Sequence, residues 1–145
     1  MDLGCPSLVQ AIAAEFLKTG YSKHLERIRP YYRVRRDAAL AALEELMPEG
    51  VRWTRPQGGF QLWVTMPTGA SSIQLFLQGI ERGVSIVPGP AHDVDGRYLN
   101  CFRLGYAHPT PEEIRTGIKR LQPIIAALLS RGANGAVPTE PGILV

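Results

Sequence analysis

Residues 100–106 carry the pattern from which the rest of the chain is interpreted, and they read Asn100-Cys101-Phe102-Arg103-Leu104-Gly105-Tyr106. Phe102, Leu104 and Tyr106 occupy alternate positions, so an extended strand places their side chains on one face. Arg103 then points to the opposite face. An unpaired buried guanidinium is costly, so it requires a partner or water. Three interpretations are open: an ion pair with an acid of this chain, an edge strand with that face in water, or binding of a ligand carboxylate.

Length and composition indicate one ordinary globular domain: 145 residues, 45% apolar and 20% charged. Sixteen basic residues against 13 acidic ones give a net charge of +3, which is too small to indicate nucleic acid binding. Cys5 and Cys101 lie far apart and show no metal-ligand spacing, which favours a reduced, cytoplasmic protein without a metal site. No apolar run approaches the ~18 residues of a membrane span. Residues 1–6 lack the pattern of a signal peptide.

Two amphipathic helices are predicted before the first strand. Ser7 is the predicted N-cap of a helix that runs to about Lys18. The second helix is predicted from about Ser22 to Leu46, with a kink or a new start at Pro30 because the proline ring clashes with the preceding turn. Its basic residues are typical of a solvated face or of side-chain stems that cover another domain, and a phosphate-binding face is the alternative. They are Lys23, Arg27, Arg29, Arg33, Arg35 and Arg36.

The middle of the chain alternates between short strands and one helix. Strands are predicted at residues 51–54 and 59–65, with Gly58-Gly59 allowing backbone torsions or a close approach that a side chain would block. Ser71 or Ser72 is the predicted cap of a helix that ends at Gly83. A short strand at 84–87 and a loop at 88–93 follow, and His92 in that loop is interpreted as a surface residue. The inward residues of the helix are predicted to be Ile73, Phe76, Leu77 and Ile80.

The last helix has the clearest start signal. Thr110 is the predicted cap, Pro111 the first helical residue and Glu113 the third residue after the cap, which is the pattern of a capping box. Residues 131–145 lose all periodicity and are predicted to be a flexible tail. The order of elements predicts an α+β fold, with a small, mainly antiparallel sheet covered by helices. The apolar stripe of the last helix comprises Ile114, Ile118, Leu121, Ile125 and Leu128.

Five linked stretches carry a resemblance to a known family. They are Tyr31-Tyr32-Arg33-Val34-Arg35-Arg36-Asp37, Arg55-Pro56-Gln57-Gly58-Gly59-Phe60-Gln61-Leu62-Trp63, Gly83-Val84-Ser85-Ile86-Val87-Pro88-Gly89, Cys101-Phe102-Arg103-Leu104-Gly105-Tyr106 and residues 114–121. Together they resemble the C-terminal (small) domain of the fold-type I, class I/II pyridoxal-phosphate (PLP) aminotransferases. The order and spacing match over about residues 7–130, which is far more specific than any single stretch.

The resemblance implies roles for two residues. Arg103 is expected to bind the substrate α-carboxylate, and Gly59 is expected to border the substrate pocket. The guanidinium is then expected on an open side of the sheet near Gly58-Gly59, without a bidentate partner among the acids of this chain. His92 stands where family members often carry an aromatic residue, so the shape of the pocket and the identity of the substrate stay open.

The family's catalytic groups are expected to lie outside this chain. A large domain that precedes the small domain supplies the Schiff-base lysine and most phosphate contacts of PLP. Lys18, Lys23 and Lys119 are the three lysines of the chain, and none lies in a matching motif. No catalytic, cofactor-binding or metal-binding residue is therefore expected here. PLP is expected in the full-length protein, whereas this chain alone is expected to be inactive and to bind PLP poorly.

Domain boundaries and partners also follow from the resemblance. Residues 1–20 are expected to be a helix left over from the large domain, residues 21–130 the small domain, and residues 131–145 the tail. The expected partners are an amino acid or 2-oxo acid substrate, the large domain and a second copy in a homodimer. The expected location is the cytoplasm, away from membranes.

Two functions compete. The first is an aminotransferase of the aminoadipate/aromatic type. The second is the effector-sensing domain of a MocR-type regulator of the GntR family, which contacts DNA only if a winged-helix module precedes it. Residues 21–25 and 97–104 resemble the regulators, whereas residues 47–56 resemble the free enzymes, and the enzyme is favoured. A stand-alone interaction domain that has lost its chemistry is a third possibility.

Overall fold

A computed structural model describes residues 6–133 of the chain. It confirms the predicted α+β architecture, in which helices cover a small antiparallel sheet. The elements are α1 (Ser7–Thr19), α2 (Tyr21–Leu46), β1 (Arg52–Trp53), β2 (Gln61–Thr65), α3 (Ser72–Glu81), β3 (Val87–Pro88), a short 3-10 helix (Gly89–His92), β4 (Cys101–Gly105) and α4 (Pro111–Ala133).

The sheet has four strands in the order β1-β2-β4-β3, and every neighbouring pair is antiparallel. β4 is therefore an inner strand. Arg103 lies opposite Trp63 of β2 on one side and opposite Val87 of β3 on the other. Directly paired residues project to the same side of a sheet, so these three residues share its outer face.

The opposite face of the sheet forms part of the hydrophobic core. Phe102, Leu104 and Tyr106 are all buried, as their alternation predicted. They pack in one cluster with residues of α2 and α4, among them Leu43 and Ile118. Each fully buried side chain of this size contributes about 1.5–3 kcal/mol relative to an exposed one. This core holds β4 in place and leaves Arg103 on the other side.

The helix α4 behaves as predicted. The Glu113 amide donates to Thr110 Oγ1 at 3.2 Å, and the Thr110 amide donates to Glu113 Oε2 at 2.8 Å, which completes the capping box. Hydrogen bonds from the Thr110 amide and then from the Thr110 side chain hold the pKa of the Glu113 carboxyl below its usual value. The five residues of the predicted stripe are all buried: Ile114, Ile118, Leu121, Ile125 and Leu128.

Two expectations near the start of the chain are wrong: the cap at Ser7 and a new helix start at Pro30, which was one of the two alternatives given for that proline. Pro6, not Ser7, is the N-cap residue of α1, and no side chain caps that end. The second helix runs from Tyr21 through Pro30 to Leu46 and does not start again at the proline. Pro30 removes one amide donor, and both it and Glu26, whose carbonyl loses that donor, lie on the exposed surface. One lost hydrogen bond at a hydrated position does not end a 26-residue helix.

The predicted inward face of α3 is wrong in part. Leu77 and Ile80 are 57% and 52% exposed, whereas Leu75 and Gly79 are buried. The backbone of Val84 lies close to α3 at Gly79, where a Cβ would be 2.9 Å from the Val84 carbonyl oxygen. Gly79 faces that backbone because a residue with a side chain would clash with it. Ser71 caps the helix, accepting the Gln74 amide at 3.4 Å, as one of the two predicted caps.

The strands are shorter than predicted, since β3 comprises only residues 87 and 88 and β2 begins at Gln61. Phe60, which lies within the predicted strand 59–65, precedes β2 and is 51% exposed. The helix α4 extends to Ala133, two residues beyond the start of the predicted tail. Cys5, Asp2 and residues 134–145 lie outside the described residues. Among helices in the described part, none has the length and apolar character needed to cross a membrane.

Candidate functional site

Arg103 lies half-buried on the outer face of the inner strand β4. Within residues 6–133 its side chain has no hydrogen bond and no ion pair. Three acids that the sequence offered as partners pair with other arginines: Asp37 with Arg36, and Asp93 and Asp95 with Arg97. Because β4 is an inner strand, the interpretation of residues 100–106 as an edge strand is wrong. No acid of residues 6–133 neutralises the Arg103 guanidinium. Asp2 is not among the residues that the structure describes.

An aromatic group stands beside Arg103 on the same face. The Trp63 ring, directly across from Arg103 in the sheet, contacts the Tyr98 ring edge-on with centroids 5.5 Å apart. The His92 ring lies on the same indole at 5.9 Å. His92 is exposed, as expected, and it belongs to this aromatic group although it sits in the loop between β3 and β4. These three rings form one group on the face of the sheet that carries Arg103, and we call this group the Trp63 wall.

The loop that carries His92 and Tyr98 is held by a buried carboxylate. The Asp93 side chain is fully inaccessible and accepts the amides of Asp95 at 3.0 Å, Tyr98 at 2.8 Å and Arg97. Burial acts to raise the pKa of Asp93, but the three amide donors and the Arg97 charge outweigh it and hold the pKa below its usual value. Asp93 therefore fixes the position of Tyr98 against Trp63.

Gly89 allows this loop to close against β4. A Cβ at Gly89 would lie 2.1 Å from the Tyr98 carbonyl oxygen and 2.8 Å from the Cys101 carbonyl oxygen. Real Cβ atoms do not approach oxygen this closely, so only glycine fits. The Leu99 carbonyl also accepts the Ser72 amide at 2.9 Å and the Ser72 hydroxyl at 2.8 Å, which ties the end of the loop to α3.

Gly59 lies in a different part of the molecule, at the turn before β2. Its φ is +89°, and no atom lies within 4 Å of a Cβ built there. The Tyr106 hydroxyl donates to the Gly59 carbonyl at 2.8 Å, and the Tyr106 amide donates to the Phe60 carbonyl at 3.0 Å. Burial raises the pKa of this tyrosine, against an opposing effect of Arg36. The turn is therefore positioned by the residue that follows β4.

Gly59 lines a cleft of about 460 Å³ between this turn and α2, and Arg103 does not line it. Gly59 lies four positions before Trp63, the residue of β2 that pairs with Arg103. Among the described residues, Gly59 and Arg103 thus do not line this cleft together.

Sequence reasoning missed the residues that surround Arg103. The alternation of residues in β2 shows that Trp63 points away from the core. Its contact with Tyr98, however, depends on how the loop between β3 and β4 folds onto the sheet. The signal for the loop was Asp93-Val94-Asp95-Gly96, since aspartate side chains bond backbone amides two residues on and glycine accepts positive φ.

Comparison with known proteins places the chain in a family. A sequence profile of the family described as "Aminotransferase class I and II" matches residues 3–121. The chain belongs to the class I and II aminotransferases. The resemblance found in the sequence is confirmed, including its PLP fold-type I character.

Several relatives align with most of this chain. Aromatic-amino-acid aminotransferase 1 of Thermococcus litoralis is 41% identical over 122 residues, which is 83% of this chain and 29% of the relative. The solved structure of LysN, an alpha-aminoadipate aminotransferase from Thermus thermophilus, superposes with a TM-score of 0.80 at 40% identity, over 90% of this chain and 33% of LysN. The HTH-type transcriptional regulator YdfD of Bacillus subtilis is 36% identical, over 90% of this chain and 27% of the regulator. The chain thus spans about a third of the length of these relatives.

The lysines of the described region do not fit a PLP site. Lys18 on α1, Lys23 on α2 and Lys119 on α4 are all exposed. None lines the cleft at Gly59 or the cleft between α4 and residues 83–85. A lysine that holds a cofactor as a Schiff base needs a position inside a pocket. Residues 6–133 offer no such amine, so no catalytic step is assigned to this chain.

Proposed function

We propose that this chain is the carboxylate-binding C-terminal part of a PLP-dependent aminotransferase, which moves an amino group between an amino acid and a 2-oxo acid. Arg103 is the residue that binds the substrate α-carboxylate. One observation carries this proposal: a half-buried guanidinium on an inner strand has no partner within residues 6–133. Its planar fork suits two parallel hydrogen bonds to a carboxylate, and its charge is not yet neutralised.

The Trp63 wall supports the same role. Trp63 pairs with Arg103 across the sheet and contacts Tyr98, so apolar ring surface lies on the face that carries the guanidinium. Gly59 is proposed to border the substrate pocket once the rest of the protein is present, since its backbone is open and approachable. The tight loop at Gly89 and Asp93 keeps the wall in one position, so binding loses little to ordering of the protein.

The domain boundaries are part of the proposal. Residues 1–20 belong to a preceding large domain, residues 21–130 form the small domain and residues 131–145 form a tail. The helix α1 supports this division because it has no buried residue, and Leu8 and Ile12 are 71% and 61% exposed. The large domain supplies the PLP and its lysine, and the complete protein is a homodimer. This chain alone does not transaminate or hold PLP stably.

A Lys substitution tests the role of Arg103. In the complete protein, Arg103→Lys keeps the charge but loses the fork. We expect the KM for amino acid and 2-oxo acid to rise about 10- to 100-fold, which corresponds to ~1.5–3 kcal/mol for one lost charged hydrogen bond. The thermal unfolding temperature changes little. Arg52→Lys on the exposed edge strand β1 is the control and leaves both quantities unchanged. If Arg103→Lys unfolds the protein while affinity per folded molecule persists, the arginine is structural.

The second candidate function is the effector domain of a MocR-type regulator. The 36% identity to YdfD over 90% of the chain favours it, because that relative is a transcriptional regulator. Both candidates use the same carboxylate site, so the Arg103 experiment does not separate them. The sequence upstream in the gene does: a winged helix there supports the regulator, and a large domain that begins near the start codon supports the enzyme.

A further inference from the structure

The cleft at Gly59 has features that the proposed role of Arg103 does not use. It lies between the first half of α2 and the turn before β2, with a volume of about 460 Å³. This volume is within the range of small-molecule sites. Six of the residues that line it matter here: Arg29, Arg33, Arg36, Tyr32, Gly59 and Phe60.

Three arginines enter this cleft from one face of α2. Arg29, Arg33 and Arg36 are spaced i, i+4 and i+7, so they follow one another along the helix surface. Arg36 is held in place, since its Nε and Nη2 donate to Asp37 Oδ1 at 2.8 and 2.6 Å and its Nη1 donates to the Gln57 carbonyl at 3.2 Å. Asp37 therefore neutralises Arg36 and leaves the other two arginines.

The side chains of Arg29 and Arg33 have no hydrogen bond or ion pair with any of residues 6–133. The neighbouring Arg35 shows the contrast, because it donates to the Pro109 carbonyl at 3.0 Å and covers the Tyr31 ring at 3.5 Å. Arg35 and Arg36 thus serve the fold, whereas Arg29 and Arg33 place two uncompensated positive charges at one cleft. Two like charges one helical turn apart repel each other.

The rest of the lining suits a small organic ligand. Tyr32 and Phe60 meet edge-on with centroids 4.8 Å apart and offer aromatic surface. Opposite α2, no atom lies within 4 Å of a Cβ built at Gly58 or Gly59, so a ligand can approach the backbone there. The Tyr106–Gly59 hydrogen bond of 2.8 Å keeps the turn in place.

We propose that this cleft binds a small, doubly charged organic anion, a phosphate monoester or a dicarboxylate, through the guanidinium forks of Arg29 and Arg33. Two forks side by side match a group with two negative charges, and binding removes the repulsion between them. A monocarboxylate such as acetate satisfies only one fork. Arg103 does not line this cleft. The two proposals share only Gly59 and depend on different arginines, so the failure of one leaves the other to be tested separately.

NMR titration of the 145-residue chain tests the site. The probes are phenyl phosphate, glutarate and acetate, each added at constant ionic strength near pH 7.5. We expect the divalent probes to shift the Gly58 and Gly59 amides and the Arg29 and Arg33 Nε–Hε signals in a saturable way. Tighter binding of phenyl phosphate identifies a phosphate monoester as the ligand, and tighter binding of glutarate identifies a dicarboxylate.

Variants separate a site from general attraction to a basic helix. Arg29→Gln and Arg33→Gln each weaken binding of the preferred divalent probe at least fivefold. Arg27→Gln removes the same charge from α2 outside the cleft and weakens it less than twofold. Arg33→Lys keeps the charge and still loses affinity. All three positions are exposed, so the fold is retained. The proposal is overturned if Arg27→Gln weakens binding as much as Arg29→Gln and Arg33→Gln do. It is also overturned if acetate binds as tightly as the divalent probes, or if the Gly58 and Gly59 amide signals do not shift.

Discussion

Replacing Gly89 by alanine tests how tightly the loop over the Arg103 face is held. The new Cβ would lie 2.1 Å from the Tyr98 carbonyl oxygen and 2.8 Å from the Cys101 carbonyl oxygen. An ordinary carbon–oxygen contact is about 3.3 Å or longer. The Tyr98 carbonyl must therefore move by roughly 1.2 Å. That movement stretches the hydrogen bond from the Cys101 amide to this carbonyl, now 3.1 Å, and pulls Tyr98 from Trp63.

The expected cost follows from these contacts. Overpacking at a rigid site costs about 1–3 kcal/mol, and one weakened backbone hydrogen bond adds about 0.5–1.5 kcal/mol. We expect Gly89→Ala to lower the free energy of unfolding by about 2–4 kcal/mol. For a chain of this size the melting temperature falls by roughly 5–15 °C.

Urea unfolding of the 145-residue chain measures this loss, and the chemical shift of the Trp63 indole reports on the wall. Gly105→Ala is the matched control, because it lies in β4 with no atom within 4 Å of its Cβ position and without a positive φ. That variant changes stability by less than ~1 kcal/mol. Equal stability of the two variants, with an unshifted indole signal in Gly89→Ala, would refute the reasoning.

Three further outcomes are expected. Ile118→Ala opens a cavity in the core and lowers the free energy of unfolding in urea by about 2–5 kcal/mol; a loss under about 1 kcal/mol would contradict its burial. Thr110→Ala removes the cap of α4 and costs about 1 kcal/mol in the same assay, whereas Thr110→Ser retains most of it. The pKa of Asp93 is lowered on folding, so its contribution to stability is present above its unfolded pKa of about 3.9 and is lost as pH falls through the folded value. The Tyr98 amide shift follows that titration in the native chain and not in Asp93→Asn; identical pH profiles would contradict it.

Local patterns accounted for the elements whose contacts are close in sequence. The capping box at Thr110 and the stripe from Ile114 to Leu128 depend only on spacing along one helix, and both are confirmed. The alternation in residues 102–106 likewise separated a buried face from the face that carries Arg103. A period of 2 or 3.6 residues is a property of the backbone, so it can be read before the chain is folded.

The errors lie where a distant segment decides the outcome. Leu77 and Ile80 fit a helical stripe, but α3 turns Gly79 inward because the Val84 backbone approaches there. A new helix start was one of two alternatives expected at Pro30, yet α2 continues through it. The loss of one donor at an exposed position is outweighed by the packing of the helix beyond it, where Ala39 and Leu43 are buried. The spacing of apolar residues along one helix does not show where a distant segment will pack against it.

The sequence by itself determined the α+β fold, the strand that carries Arg103, and the family, because each depends on residue type and order along the chain. Only the tertiary structure decided that β4 is an inner strand and that Trp63 and Tyr98 meet beside it. It also decided that Arg103 finds no acid among residues 6–133, while Gly59 faces a cleft with Arg29 and Arg33. The reason is physical: whether a charge is paired depends on distances between segments far apart in the chain, and those distances exist only after folding.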